Sequence, residues 1–157
     1  MSKFPEVGAM APAFILKRDG GGEVKLADFS GRKLVIYFYP KADTPGCTQE
    51  SIAFNGLKDA FAKADTAILG VSADPVRAQD KFKAKYDLDF PLGSDETHAM
   101  LEAYGVWGEK SMYGRKYMGV ERATLLIGRD GTVARAWPKV KVPGHADEVL
   151  AAAQALA

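Results

Sequence analysis

The hydrophobic positions of this chain fall into short runs of two kinds, divided by turn residues. In "KLVIYFYP" (33–40) every position from Leu34 to Tyr39 is apolar, and most are β-branched or aromatic. That pattern predicts a central strand buried on both faces, ended by Pro40. "TAILGVSADP" (66–75) predicts a second buried strand, closed by an Asp-Pro helix start. Between them, Ile52, Phe54, Leu57, Ala60 and Phe61 recur at three- and four-residue spacing, which predicts one helix from Cys47 to about Lys63 with Ile52 in its core face. A charged amphipathic helix follows over Pro75 to about Tyr86, then a short strand in "FPLGSD" and a short helix in "THAMLEAYGV" that ends at Gly105.

The ends of the chain complete the pattern. "APAFILKRDGGGEVKLADFSG" predicts a short strand, a turn at Gly20 to Gly22, a second short strand at Val24 to Leu26 and a loop. "RATLLIGRDGTVARAW" predicts a hairpin around Asp130-Gly131, and "HADEVLAAAQAL" a closing helix capped by Asp147 or a residue just before it. Strands alternating with helices predict an α/β domain over residues 1–157, with a right-handed parallel crossover from strand 34–39 to strand 66–72. No internal repeat or low-complexity linker divides it.

Composition narrows the function classes. The chain has 157 residues, 47% hydrophobic and 26% charged, as in an ordinary soluble protein. Lys plus Arg total 21 against 20 Asp plus Glu, so no general attraction to nucleic acid or to an anionic membrane is expected. The local basic stretch "GEKSMYGRKYMGVER" carries four cations against two acids, too few for a nucleic-acid surface. "MSKFPEVGAMAPAF" lacks the apolar run of a signal peptide, and "LVIYFY" is too short to cross a bilayer. With a single cysteine no internal disulfide can form, and a cytoplasmic or otherwise reducing location is expected.

That cysteine, Cys47, lies where a central strand gives way to a helix, the edge at which open α/β sheets place their chemistry. A lone cysteine is often only a small buried hydrophobe, and Thr-Pro-Gly is ordinary helix-start sequence. A helix N-terminus, however, favours a thiolate. An ordinary thiol is only roughly 3% thiolate at pH 7, and making most of it thiolate takes about 3.4 kcal/mol. A helix N-terminus supplies about 0.3–1 kcal/mol, at most about 2, so a cation must come from elsewhere in the fold. Gly46 allows close backbone approach, Pro40 and Pro45 stiffen the loop, and Thr44 places a hydroxyl one turn before the sulfur.

"YPKADTPGCTQE" (39–50) resembles the active-site segment of the peroxiredoxins, with Pro-x-x-x-Thr-x-x-Cys met at Pro40, Thr44 and Cys47. Thr-Pro-Gly-Cys-Thr followed by Glu50 is similar to the bacterioferritin-comigratory, or Q-type, subfamily, and "GAMAPAF", "GVSAD", "PLGSDETHAMLEAYGVWGEK" and "RATLLIGRDG" extend the likeness over nearly the whole chain. The resemblance implies a thioredoxin-like fold with a central mixed sheet flanked by helices. It implies reduction of hydrogen peroxide and organic hydroperoxides through a sulfenic acid on Cys47, without cofactor or metal, as antioxidant defence. It also implies that Arg122 is the missing cation and that Glu50 orients it. Thr44, Arg122 and the N–H groups of Gly46 and Cys47 would then be the donors for the charge that grows on the departing oxygen.

The chain departs from many relatives in lacking a second, resolving cysteine: the positions where they carry it are here Ile52, near Lys83 and around Leu101. An external thiol, from glutathione with glutaredoxin or from thioredoxin, is therefore expected to regenerate Cys47, with pairing of Cys47 between two copies as the alternative. The resemblance implies a monomer. A redox sensor or chaperone-like module signalling through Cys47 is a competing function. A cysteine hydrolase would need a placed histidine, and His98 and His145 are expected at the surface or at helix caps.

Overall fold

The computed structural model describes residues 3–157; the first two residues of the N-terminal stretch read above lie outside them. Seven strands form one mixed sheet: β1 (Ile15–Arg18), β2 (Glu23–Lys25), β3 (Lys33–Phe38), β4 (Thr66–Ser72), β5 (Leu92–Ser94), β8 (Ala123–Ile127) and β9 (Val133–Trp137). Their order across the sheet is β2-β1-β5-β4-β3-β8-β9. Every residue of β3 is buried, as its unbroken apolar run requires. The exception in kind is Lys33, whose Nζ donates to the carbonyls of Ala153 and Leu156 at 2.7 and 2.8 Å. It thereby meets the negative end of the last helix with a cation.

Alternation along β3 divides the interior into two layers. Leu34, Ile36 and Phe38 face one core with Leu125, Leu101 and Tyr104. Val35, Tyr37 and Tyr39 face the other with Phe54, Phe61, Phe82 and Val149. The second core is covered by α1 (Pro45–Gly56), α2 (Lys58–Lys63), α3 (Val76–Tyr86) and α5 (His145–Ala155), and the first by α4 (Ala99–Ala103). Strand β3 pairs parallel with β4 and antiparallel with β8, in the register Phe38↔Ala123. The carboxyl ends of β3 and β4 and the start of β8 thus meet at one edge of the sheet.

Several expectations need correction. The helix from Cys47 to Lys63 is two helices, broken at Leu57 (φ −106°, ψ 7°). Gly56 is a weak helix former, and the Asn55 side chain is drawn off to the Asp87 carbonyl and the Asp89 N–H at 3.1 and 2.8 Å. Ile52 is not a core residue; it is 47% exposed on the outer face of α1. Asp147 does not cap α5, which begins at His145 behind Gly144, so Asp147 lies inside the first turn. The basic stretch after Val106, to which the sequence pattern assigns no element, is a separate two-stranded sheet, β6 (Trp107–Met112) against β7 (Arg115–Val120). Its two-residue turn, Tyr113-Gly114, has φ of 51° and 77°, the left-handed geometry that joins tightly paired strands.

Candidate active site

The chain leaves β3 at Phe38, crosses Tyr39 and Pro40, and enters α1 at Pro45 with Thr44 as the residue before the first turn. Pro45 lacks an N–H, as suits the first helical position. The first bond of the helix runs from Thr48 N–H to the Thr44 carbonyl at 2.8 Å. The N–H groups of Gly46 and Cys47 precede it and so have no partner within the helix. Cys47 is 1% exposed and packs in the second core with Tyr37, Tyr39 and Phe54. Thr44, Gly46 and Arg122 are half-buried.

Arg122 arrives from the other end of the sequence. It lies one residue before β8, and the register Phe38↔Ala123 brings it beside the segment that follows Phe38. Its Nη2 lies 3.3 Å from Cys47 Sγ and its Nη1 donates to Glu50 Oε1 at 2.7 Å. Gly46 makes this possible: a Cβ there would stand 3.1 Å from Arg122 Nη2. The structure therefore brings Cys47, Gly46, Glu50 and Arg122 together. Glu50 sits one turn after Cys47 on the same face of α1, and its other oxygen, Oε2, has no hydrogen-bond partner among the described residues. Burial pushes the Glu50 carboxyl up to about 7 against the pull of Arg122, and only 1% of the residue is exposed.

One residue of the motif stands differently from expectation. The Thr44 hydroxyl donates to the Lys41 carbonyl at 2.7 Å, so its proton is already committed and what it offers a substrate is an acceptor lone pair, not a donor. Pro40 forms part of a surface cleft with Lys41, Asp74, Trp107 and Tyr117. His98 precedes α4 and stacks on Trp107 with ring centroids 3.7 Å apart. His145 corrects the expectation of a surface residue: it is 5% exposed, paired with Thr124 Oγ1 at 2.9 Å and wedged edge-on between Phe54 and Trp137. Burial pushes its imidazole below the usual range, which keeps it neutral.

A supporting network went unseen in the sequence. Tyr39 donates to Gln79 at 2.6 Å; Gln79 donates to Ser72 and to the Gly93 carbonyl, both at 2.9 Å. Ser72 donates to Asp74 at 2.7 Å, and the Ala42 N–H donates to the same carboxylate at 2.8 Å. Asp43, with φ 61°, is held by the Tyr86 hydroxyl and Lys85 at 2.5 and 2.9 Å. The loop ahead of Cys47 is thus fastened to β4 and to both ends of α3. The positive φ of a non-glycine residue persists only where its surroundings fix it. "GVSAD" carried the Ser72 and Asp74 signal, but Gln79 and Tyr86 look in sequence like an ordinary helix face.

The chain is similar to known proteins over most of its length. The AhpC/TSA family model matches residues 7–136. The chain is 51% identical over 140 residues to peroxiredoxin Bcp of Xanthomonas campestris, covering 89% of this chain and 88% of the relative. It is 46% identical over 145 residues to peroxiredoxin Bcp of Bacillus subtilis, covering 92% of each. A solved structure of Xanthomonas campestris peroxiredoxin Q superposes with a TM-score of 0.88 at 48% identity, covering 96% of both chains. Continuous similarity at this level means that the chain belongs to the AhpC/TSA family, among the Bcp-type peroxiredoxins.

Proposed function

We propose that the protein is a thiol peroxidase in which Cys47 reduces hydrogen peroxide and organic hydroperoxides and is regenerated by an external thiol. The observation that carries this reading is the sole cysteine in the first turn of α1 with a guanidinium nitrogen 3.3 Å from its sulfur. A solved relative, the bacterioferritin comigratory protein of Xanthomonas campestris, is described by its alkyl peroxide reduction activity. In the proposed reaction the Cys47 thiolate attacks one peroxide oxygen while negative charge grows on the other. Arg122 and the Gly46 and Cys47 N–H groups stabilise that charge, and the Thr44 oxygen accepts from the peroxide hydroxyl and aims it. Sulfenic acid and water or an alcohol result.

The reductant is inferred to be a small thiol such as glutathione, served by a glutaredoxin, or a thioredoxin acting on the sulfenate. Ile52, Lys83 and Leu101 support an external source, since none of them is a thiol and Leu101 is fully buried. The proposal treats the chain as one domain acting as a monomer in the cytoplasm. Both cores share a single sheet, and among the described residues no helix is long and apolar enough to cross a membrane.

The test is peroxide consumption by purified protein with a generic small thiol: turnover that depends on the protein supports the reading, and its absence with Cys47 reduced contradicts it. Thr44→Val probes the aiming step. It should lower the peroxide rate by about 10²-fold, the usual cost of misplacing a reacting group, while alkylation of Cys47 by a haloacetamide changes little. Equal losses in both would mean that Thr44 only shapes the loop.

A further inference from the structure

Two acidic groups in this site compete for one cation. Cys47 and Glu50 are each 1% exposed, and both lie against the guanidinium of Arg122, at 3.3 and 2.7 Å. Glu50 accepts from that guanidinium through one oxygen only, while Oε2 is buried without a partner among the described residues. With both groups ionised, the pair would place two buried negative charges against one positive. The neighbouring groups do not relieve this. From β3, Tyr37 is held neutral by burial with its hydroxyl against Ser51, and Tyr39 is likewise held neutral against Gln79. From α5, His145 is kept neutral by burial, so it supplies no second cation. Among the described residues the further help comes from the partial positive charge of the α1 N-terminus, and it acts on Cys47. Two negative charges that face one counter-ion disfavour each other's ionisation.

We propose that Cys47 and Glu50 hold one proton between them in the reduced protein, and that Glu50 delivers it to the oxygen that leaves when Cys47 attacks a hydroperoxide. The inference rests on the thiol-peroxidase reading above and adds a proton source to it. In the reactive form Cys47 is the thiolate and Glu50 the neutral acid, so Arg122 balances a single negative charge. The upward push on the Glu50 carboxyl is consistent with this form. The sulfur lone pair forms the S–O bond and the O–O bond breaks. Sulfur is oxidised by two electrons, which leave with the second oxygen. The attacked oxygen keeps its own hydrogen as the sulfenic acid. The leaving oxide takes the Glu50 proton, directly or through one water, and departs as water or alcohol. Sulfur is now neutral, so Glu50 is left as a carboxylate with Arg122 to itself. Two reductant thiols later bring two protons: one leaves with the sulfenic oxygen as water and the other returns to Glu50.

This assignment predicts a dependence on the leaving group that a purely orienting Glu50 would not produce. Alkoxide and hydroxide are strong bases and need a proton as they leave. Acetate, released from peracetic acid, is a weak base and needs none. Glu50→Gln keeps an oxygen for Arg122 but has no proton to give. The ratio of its single-turnover rates with tert-butyl hydroperoxide and with peracetic acid should fall about 10²-fold or more below the wild-type ratio. Parallel losses with both oxidants, or no loss with either, would overturn the proposal and leave the peroxidase reading standing. A wild-type protein inert to both oxidants would instead overturn that reading itself. Difference infrared spectroscopy of the wild-type protein, with carbon-13 in glutamate, supplies a readout that needs no variant. One equivalent of peroxide should remove a labelled carboxylic-acid band and produce a carboxylate band. A difference spectrum that shows no loss of a labelled carboxylic-acid band contradicts the proposal.

Discussion

Cys47→Ser should reduce thiol-dependent peroxide consumption to the background of the small thiol alone. No other thiol exists in the sequence, and the serine hydroxyl does not ionise under conditions where a thiol does. The replacement is nearly isosteric at a buried position, so the circular dichroism spectrum should be retained and the loss assigned to chemistry. Turnover by this variant in metal-free solution would place the reaction elsewhere and remove the basis for every role assigned around α1.

The second large effect is expected at Arg122. Arg122→Ala removes the cation that faces both the sulfur and Glu50. The peroxide rate should fall by about 10²–10³-fold, the loss typical of one positioned charge-stabilising donor. Alkylation of Cys47 should slow as well, because the thiolate loses its counter-ion. Here Arg122 differs from Thr44, whose loss spares alkylation. Breaking a buried pair costs about 3–5 kcal/mol when the remaining charge is stranded, but without Arg122 both Glu50 and Cys47 can hold a proton, so a smaller loss of folding stability is expected. Arg122→Lys should not restore the rate. The guanidinium reaches sulfur and carboxylate through two nitrogens of one rigid fork, which a single ammonium cannot copy. Urea unfolding alongside both rate measurements separates the contributions; unchanged peroxide and alkylation rates in Arg122→Ala would refute the role.

Much of this arrangement is legible in the sequence because it is written locally. The unbroken apolar run of β3, the Pro40 stop and the Pro45 start fix where Cys47 must lie. The hairpin at Asp130-Gly131 and the buried strand of residues 66–72 are equally local. The proximity of Arg122 to Cys47 is not local: it depends on the antiparallel register of β8 on β3, and only the family motif pointed to it. The break at Leu57 and the exposure of Ile52 escaped because helical spacing of apolar residues does not reveal that Asn55 bonds a neighbouring loop. The β6–β7 hairpin escaped because its strands are polar and charged on both faces, so neither shows an apolar alternation. The burial of His145 escaped for the opposite reason. A histidine at a helix start looks exposed until Phe54, Thr124 and Trp137 are brought around it by three different elements.

The single-cysteine cycle is tested most directly by the mass of the protein after one oxidation. Dilute reduced protein, treated with one equivalent of peroxide and no thiol, should gain one oxygen atom on Cys47 as the sulfenic acid, trapped by dimedone, and should run as a monomer on a non-reducing gel. Excess peroxide should carry it to the sulfinic acid, since no thiol in the chain intercepts the sulfenate. A small thiol added before that point should return the original mass through a mixed disulfide. A dominant disulfide-linked dimer at low protein concentration would mean that two copies resolve each other, and an unchanged mass would mean that Cys47 does not react with peroxide at all; either result contradicts regeneration by an external thiol.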